Sequence, residues 1–262
     1  MFDIGAVLLA AGFGTRLSPL TDIWPKALMP IGGRPLLDYW LKLLLNQQIS
    51  EVIVNTHYLR PVMGEYLQRP IYNSWVSELY EKELLGTAGT LREASKLITA
   101  KTILLAHADN WGLFDIGDFI KFHIEQRPRG CLISMMTFDS KNPSLCGIVE
   151  VDNMGIVQSF YEKQINPPGN LANAAVYLLE PELIDWVKDH PDVTDFSQQV
   201  LPNFLGRIAT FHKEGVYRDI GTLEALKLAQ FDNIFPMDFA EDDGWAIDFK
   251  HNEIHKLIAM DD

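Results

Sequence analysis

Val7-Leu-Leu-Ala-Ala-Gly-Phe-Gly-Thr-Arg16, with Pro25-Lys26 ten residues further on, is the stretch whose reading decides the fold. Apolar residues run straight into two glycines, then a hydroxyl, then a guanidinium. That order predicts a buried strand ending in a backbone bare enough to wrap a phosphate chain. Gly12 and Gly14 free the main chain to take unusual dihedrals and bring N–H donors close to an anion. Arg16 can grip a phosphate through two parallel hydrogen bonds, and Lys26 supplies a mobile point charge.

Two commoner phosphate loops are excluded by single positions. A dinucleotide fingerprint needs a third glycine where Leu17 stands. A Walker loop closes with Gly-Lys-Ser/Thr, whereas this one closes with Gly14-Thr15-Arg16. A plain strand-turn-helix connection, its glycines serving only the turn, is the competing reading. Arg16 and Pro25-Lys26 weigh against it.

Outward from this loop, strand and helix patterns alternate. Strands are expected at Ala6–Ala10, Glu51–Asn55, Trp75–Tyr80, Lys101–His107 and Cys131–Thr137. Helices are expected at Leu36–Leu45, near Val62–Leu67, at Thr87–Leu97 and at Ile116–Gln126. Such alternation predicts an α/β, Rossmann-like doubly wound fold with a mainly parallel, mixed sheet. After residue 140 the pattern becomes antiparallel. Gly147–Val151 and Gly155–Tyr161 flank Asp152-Asn-Met as a hairpin, and Leu171–Leu179 is a further strand. A helix from Pro181 to about Lys188, strands at Ile208–His212 and Val216–Arg218, and a helix at Leu223–Phe231 complete the series. One compact domain with two lobes is expected, the antiparallel insert closing one side of a cleft.

The 262 residues suffice for such a domain, and 47% hydrophobic with 22% charged residues is ordinary for a soluble protein. The net charge of −13 speaks against nucleic acid or an anionic membrane as partner. About half of that charge sits in residues 231–262, which hold nine acids and two bases. Residues 1–50 carry four bases against three acids, a mouth better suited to an anion. No apolar run approaches a membrane span, the N-terminus lacks a basic leader, and two cysteines make no disulfide framework. A cytoplasmic location is expected. The acidic tail is read as a solvated face, with Trp245, Ile247, Phe249, Ile254 and Leu257 available for packing.

Further signals lie at strand ends. Leu104-Leu-Ala-His-Ala-Asp109-Asn110 aims a carboxylate at the sheet edge where open α/β folds bind ligands. Gly215-Val-Tyr-Arg-Asp219-Ile-Gly-Thr222 offers a second carboxylate, with Thr222 the natural helix cap. Two such groups could share a hard cation, or each could simply cap a turn. Ser159-Phe-Tyr-Glu162-Lys163 is either a binding pair or a surface ion pair of little worth. Asn173 is similarly open, and neither His57 nor His107 has partners at metal spacing.

Gly12-Phe-Gly-Thr-Arg16-Leu-x-Pro-Leu-Thr, Pro25-Lys26, Leu85-Gly-Thr-Ala-Gly89, Ala108-Asp109, Glu162-Lys163, Asn173-Ala and Asp219-Ile-Gly-Thr together resemble the sugar-1-phosphate nucleotidylyltransferases. The likeness runs from about Ile4 to Phe231, and Leu85–Gly89 looks most like the mannose-1-phosphate guanylyltransferase branch. It implies a nucleotidyltransferase domain over 1–230, with about 1–140 nucleotide-binding and 141–230 sugar-binding, followed by the tail 231–262. The nucleotide would be held by Ala10, Ala11, Gly12, Gly14, Thr15, Arg16, Lys26, Leu85, Gly86, Thr87, Ala88, Gly89 and Asp109, with Arg16 and Lys26 catalytic. Gly147, Glu162, Lys163 and Asn173 would bind the sugar phosphate. Asp109 and Asp219 would share Mg²⁺. Gln164 stands where the family often has proline, so the conformation of that loop is left open.

The implied reaction joins a sugar 1-phosphate to a nucleoside triphosphate, releasing pyrophosphate. Its nucleophile is already an anion, so positioning and charge neutralisation suffice without a general base. GTP and a manno-configured sugar are the expected pair. Uridylyl or thymidylyl transfer to glucose or an amino sugar, a phosphocholine-type cytidylyltransferase, and a non-catalytic nucleotide-sugar-binding subunit remain alternatives. The oligomeric state is open, a homo-oligomer included.

Overall fold

A computed structural model of the protein describes residues 3–232 and 237–259. Met1 and Phe2, the residues on which the expected lack of a leader partly rests, lie outside them. In chain order the elements begin with β1 (Ile4–Leu9), α1 (Leu20–Ile23), β2 (Pro30–Ile31), β3 (Arg34–Pro35) and α2 (Leu36–Asn46). Next come β4 (Val52–Thr56), α3 (Arg60–Leu67), β5 (Val76–Tyr80), α4 (Gly86–Ala94), β6 (Thr102–His107) and β7 (Asn110–Gly112). The middle of the chain adds α5 (Ile116–Lys121), β8 (Ile133–Asp139), β9 (Gly147–Val151), β10 (Val157–Glu162), β11 (Leu171–Leu179) and α6 (Pro181–Asp189). The last elements are β12 (Ile208–His212), β13 (Tyr217–Asp219), α7 (Leu223–Ala229), α8 (Gly244–Lys250) and α9 (Ile254–Ala259). The fold is α/β and Rossmann-like, a mixed central sheet with flanking helices.

The chain divides into two compact units, each assembled from separated segments. The first comprises Met1–Val7, Leu85–Ala106 and Phe114–Gly215. Its strand order is β10-β9-β11-β6-β1, with β8 and β12 continuing beside β11. Here β11 runs antiparallel to β6, β8 and β9, and β12 runs parallel to β8. The hairpin expected at Asp152 forms: the Asp152 carboxylate accepts the N–H groups of Met154 and Ile156, and Gly155 takes a left-handed φ of 73°. The helix expected through Gln126 is α-helical only to Lys121. It then widens into a turn whose Arg127 N–H reaches the Phe122 carbonyl, because Pro128 cannot continue the ladder.

The second unit comprises Leu8–Leu84, His107–Leu113 and Val216–Asp262. Its order is β1-β4-β5, with β4 and β5 parallel. Gly32 and Gly33, both at positive φ, turn the short β2–β3 hairpin. α2 is apolar on most of its surface and buries Leu36, Leu37, Tyr39, Trp40, Leu41 and Leu44. Thr222 caps α7 as expected, its hydroxyl accepting the Ala225 N–H.

The tail departs from its expected form in two ways. Ala246, Phe249, Ile254 and Ile258 are buried, whereas Ile247 and Leu257 face outward, because two short helices select positions three and four apart. Its acids are not merely a solvated face. Asp242 pairs with Arg34 and Lys250, and Asp243 with Arg69. Arginines some 170 to 210 positions earlier hold the segment down.

Candidate functional site

All six residues of β1 are buried, so the strand presses the following loop to its end with little freedom. The Ala10 N–H donates to the Asn55 carboxamide at 2.7 Å, and Ala11 is buried. The two glycines then differ in kind. A side chain at Gly12 would meet nothing, so this backbone is open to a visitor. Gly14 has φ 64°, and a Cβ there would sit 2.8 Å from Thr21 Cγ2, so the turn itself demands glycine. The Thr21 hydroxyl and the Leu17 N–H both donate to the Gly14 carbonyl. Phe13 is exposed between the glycines, edge-on to His57 at 5.4 Å.

Lys26 is buried in a single turn whose next three residues, Ala27, Leu28 and Met29, are completely inaccessible. Its ammonium donates to Asp109 Oδ2 at 2.7 Å and to Asp219 Oδ1 at 2.6 Å. Arg16 donates to the other oxygen of Asp219. Strand register explains the meeting. β13 pairs antiparallel with β7, placing Asp219 opposite Asn110, the neighbour of Asp109. Trp111 and Arg218 both donate to Asp232, which pins that ribbon. Gly14, Thr15, Arg16, Lys26, Asp109 and Gly221 line a cavity of about 180 Å³.

Burial alone would pull the Lys26 pKa down, but the charges of Asp109 and Asp219 outweigh it and the pKa rises. Burial would likewise raise that of Asp219, yet Lys26 and Arg16 hold it below the usual carboxylate value. Lys26 and Asp219 are therefore both held in their charged forms. Its donor chemistry bears on the implied metal. Among the described residues no group of three or more His, Cys, Asp or Glu could hold an ion. Two convergent carboxylates suit Mg²⁺, which completes its shell with phosphate oxygens and water. They do not suit a protein-only zinc cage.

The residues expected to bind the sugar phosphate lie in the first unit. β9 and β10 place Glu162 opposite Gly147. A Cβ at Gly147 would stand 2.6 Å from the Phe160 ring and 2.8 Å from a Glu162 carboxylate oxygen, so this glycine leaves the carboxylate its place. Lys163 takes a left-handed φ of 47°, its N–H donates to the Cys146 carbonyl, and its ammonium reaches Glu162 at 3.4 Å. β11 brings Ala172 opposite Ile148, so Asn173 and Gly147 sit one step from the same pair. The Asn173 amide donates to the Tyr177 hydroxyl, and its carbonyl oxygen accepts the Ala175 N–H. A register shift between Asn173 and Tyr177 re-aims the strand there.

Leu85–Gly89 opens α4, also in the first unit. Gly86 has φ 74°, and a Cβ would meet the Thr194 carbonyl oxygen at 2.5 Å. That same carbonyl accepts the Ala88 N–H, and the Phe196 N–H donates to the Thr87 hydroxyl. The glycine here serves packing on residues 194–196, a partnership of main-chain atoms that side-chain pattern does not reveal. Gly221 also goes unmarked by sequence pattern. A Cβ there would lie 2.7 Å from both Arg16 Nη2 and Asp219 Oδ2, and the clue was its place in Asp219-Ile-Gly-Thr.

Residues 5–233 match the family model described as nucleotidyl transferase. The chain is 27% identical over 223 residues to a mannose-1-phosphate guanyltransferase of Saccharomyces cerevisiae and 28% over 224 residues to one of Aspergillus fumigatus. In both cases the match covers 82% of this chain and 60% of the relative, so the chain spans about 60% of the length of these curated relatives. Among solved structures, HddC from Yersinia pseudotuberculosis complexed with GMP-PN superposes with a TM-score of 0.72 at 26% identity, over 88% of this chain and 98% of that one. A Bacillus anthracis protein solved with sucrose shares the fold at a TM-score of 0.77 and 18% identity, over 92% of this chain and 98% of that one. No helix of the described residues is long and apolar enough to cross a membrane.

Proposed function

Since the chain belongs to the nucleotidyl transferase family, we propose that it transfers a nucleotidyl group from a nucleoside triphosphate to a sugar 1-phosphate, releasing pyrophosphate. The observation that carries this reading is the buried Lys26 held between Asp109 and Asp219, with Arg16 on the same carboxylate beside the open Gly12 backbone. Three charged residues line one cavity and Asp219 is bonded to two of them, and the lining holds no serine, cysteine or histidine nucleophile, which suits a reaction whose attacking group is already an anion.

In this reading Ala10, Ala11, Gly12 and Thr15 present main-chain groups to the triphosphate, and Arg16 and Lys26 neutralise its charge. Arg16 is exposed and free to change partner, whereas Lys26 is fixed. Leu85–Gly89 lie against the base. Glu162 receives sugar hydroxyls, Lys163 the sugar phosphate, and Asn173 and Gly147 shape that pocket. Asp109 and Asp219 would hold Mg²⁺, which when bound screens the phosphate oxygens and supports in-line displacement. The chain's own part is to orient the two anions and to keep the positive charges ready, which costs no reorganisation during the reaction.

GTP and mannose 1-phosphate are the favoured substrates, supported by the guanyltransferase relatives and by the GMP-PN complex of HddC. A cytoplasmic site of action follows from the same reading. The test is a pyrophosphate-release assay of the purified chain with Mg²⁺ across five nucleotides and a panel of sugar phosphates. Release with GTP and mannose 1-phosphate above all other pairs is expected. No release with any pair overturns the reaction, and a clear preference for UTP or dTTP overturns the substrate assignment.

A further inference from the structure

Residues 238–259 lie beyond the segment matched by the family model, which ends at 233. Even so, they pack against the turn that carries Lys26. Trp24 precedes Pro25-Lys26, and its indole N–H donates to the Leu28 carbonyl at 2.9 Å, tying the ring to the far end of the Lys26–Leu28 turn. The Trp24 ring stacks on Phe249, with centroids 5.7 Å apart and planes 26° apart. Phe249 stacks in turn on Trp245 at 5.1 Å and 13°. Phe249 is only 3% exposed, a buried ring between two half-buried tryptophans.

Ionic anchors fix where the stack sits. Asp243 caps α8 by accepting the Ala246 N–H and also accepts from Arg69 Nε at 2.9 Å. The Arg69 guanidinium lies 4.9 Å from the Trp245 ring and donates to the buried Asp38, which also takes the hydroxyls of Tyr66 and Tyr72. Arg34 repeats the device with Asp242, its guanidinium 4.4 Å from the Phe239 ring. Two arginines of the body thus each hold one acid and one aromatic ring of the tail.

We propose that residues 238–259 form a positioning element for Lys26, acting through the Trp245–Phe249–Trp24 stack. Lys26 must meet two carboxylates at 2.6 to 2.7 Å, and its backbone lies in a turn whose ends are held by Trp24. With the aromatic face of the tail removed, the Trp24 ring loses the two rings it packs on, and the turn is free to shift. Misplacement of a charged group by about 1 Å can cost on the order of 10²-fold in rate. The inference rests on the phosphate-binding reading of Lys26 for its catalytic consequence alone.

The experiment compares the wild-type chain with Phe249→Leu, Trp245→Leu and the ring-preserving Trp245→Phe. Three readouts are taken: amine labelling of Lys26 against exposed Lys101, amide hydrogen exchange, and steady-state pyrophosphate release. The two leucine variants are expected to label Lys26 about tenfold faster and to exchange faster within residues 20–31 and the tail. Their kcat should fall about tenfold while the KM for sugar phosphate stays within about twofold, and Trp245→Phe should behave as wild type. Unchanged Lys26 labelling in both folded leucine variants overturns the proposal. So does faster exchange spread across the whole chain, which marks a merely structural loss. Faster labelling in a protein that releases no pyrophosphate with any substrate keeps the positioning role and overturns the catalytic reading instead.

Discussion

Asp219 follows Lys26 by 193 positions along the chain, yet its Oδ1 stands 2.6 Å from the lysine ammonium. Asp109 completes the arrangement from the other side at 2.7 Å. Changing either carboxylate to its amide keeps the shape and removes the charge. Asp109→Asn and Asp219→Asn are each expected to lower pyrophosphate release by about 10²-fold or more while the circular dichroism spectrum stays native. Steady-state rates with both variants check this; values within about threefold of wild type in both would remove the carboxylates from the chemistry.

Gly147 and Gly221 each leave room for a charged side chain. In Gly147→Ala the new methyl would meet the Phe160 ring and displace Glu162, so the KM for sugar phosphate should rise about tenfold with the nucleotide KM unchanged. In Gly221→Ala the methyl meets only the flexible tips of Arg16 and Asp219. Its thermal midpoint should stay near wild type while turnover falls. Separate titration of the two substrates distinguishes these outcomes.

His123 is the group through which acid should destabilise the first unit. Burial chiefly, then the nearby Arg127 charge, pushes its pKa down to about 4. The neutral ring fits its partners, Nε2–H donating to Glu180 and Nδ1 accepting from the Ser134 hydroxyl. The unfolded chain takes up this proton near pH 6.5 and the folded one only near 4, so stability is whole above 6.5 and is lost as pH falls towards 4. Thermal midpoints between pH 7 and 4 should fall for wild type and fall less for His123→Gln. Parallel profiles would exclude this group.

Asp38 is buried and accepts from Arg69, Tyr66 and Tyr72. Its removal leaves a buried guanidinium short of a partner, a loss that typically costs roughly 3–5 kcal/mol. Asp38→Ala should therefore lower the urea midpoint strongly, whereas Asp242→Ala, whose half-buried pairs still reach solvent, should cost less, on the order of 1 kcal/mol. Equal midpoints for the two would contradict the difference in burial.

What the sequence made legible was whatever sits close together along the chain. The strand ending at the glycines, the turn at Asp152, the cap at Thr222 and the strand Leu171–Leu179 all declared themselves through neighbouring residues. Asp109 and Asp219 were visible as strand-end carboxylates, but their union on Lys26 depends on the register of β13 against β7. Two acids of the tail, Asp242 and Asp243, depart from the solvated face expected of it because their partners, Arg34 and Arg69, lie far away in sequence. Contacts to the Thr194 carbonyl left no trace, since a main-chain oxygen is common to every residue.

The discontinuity of the second unit has a consequence for the order of synthesis. Its first 77 residues, Leu8–Leu84, leave the ribosome long before its closing segment, Val216–Asp262. At about 5–20 residues per second, Lys26 waits roughly 10–40 s for Asp219. Through that interval the nascent chain holds a lysine selected for burial without its second carboxylate, and Arg69 without Asp243. The unit that carries the glycine loop is begun within the first eight residues and still waits for the segment from Val216 onward, so chaperone dependence during synthesis should concentrate on the stretch before residue 216.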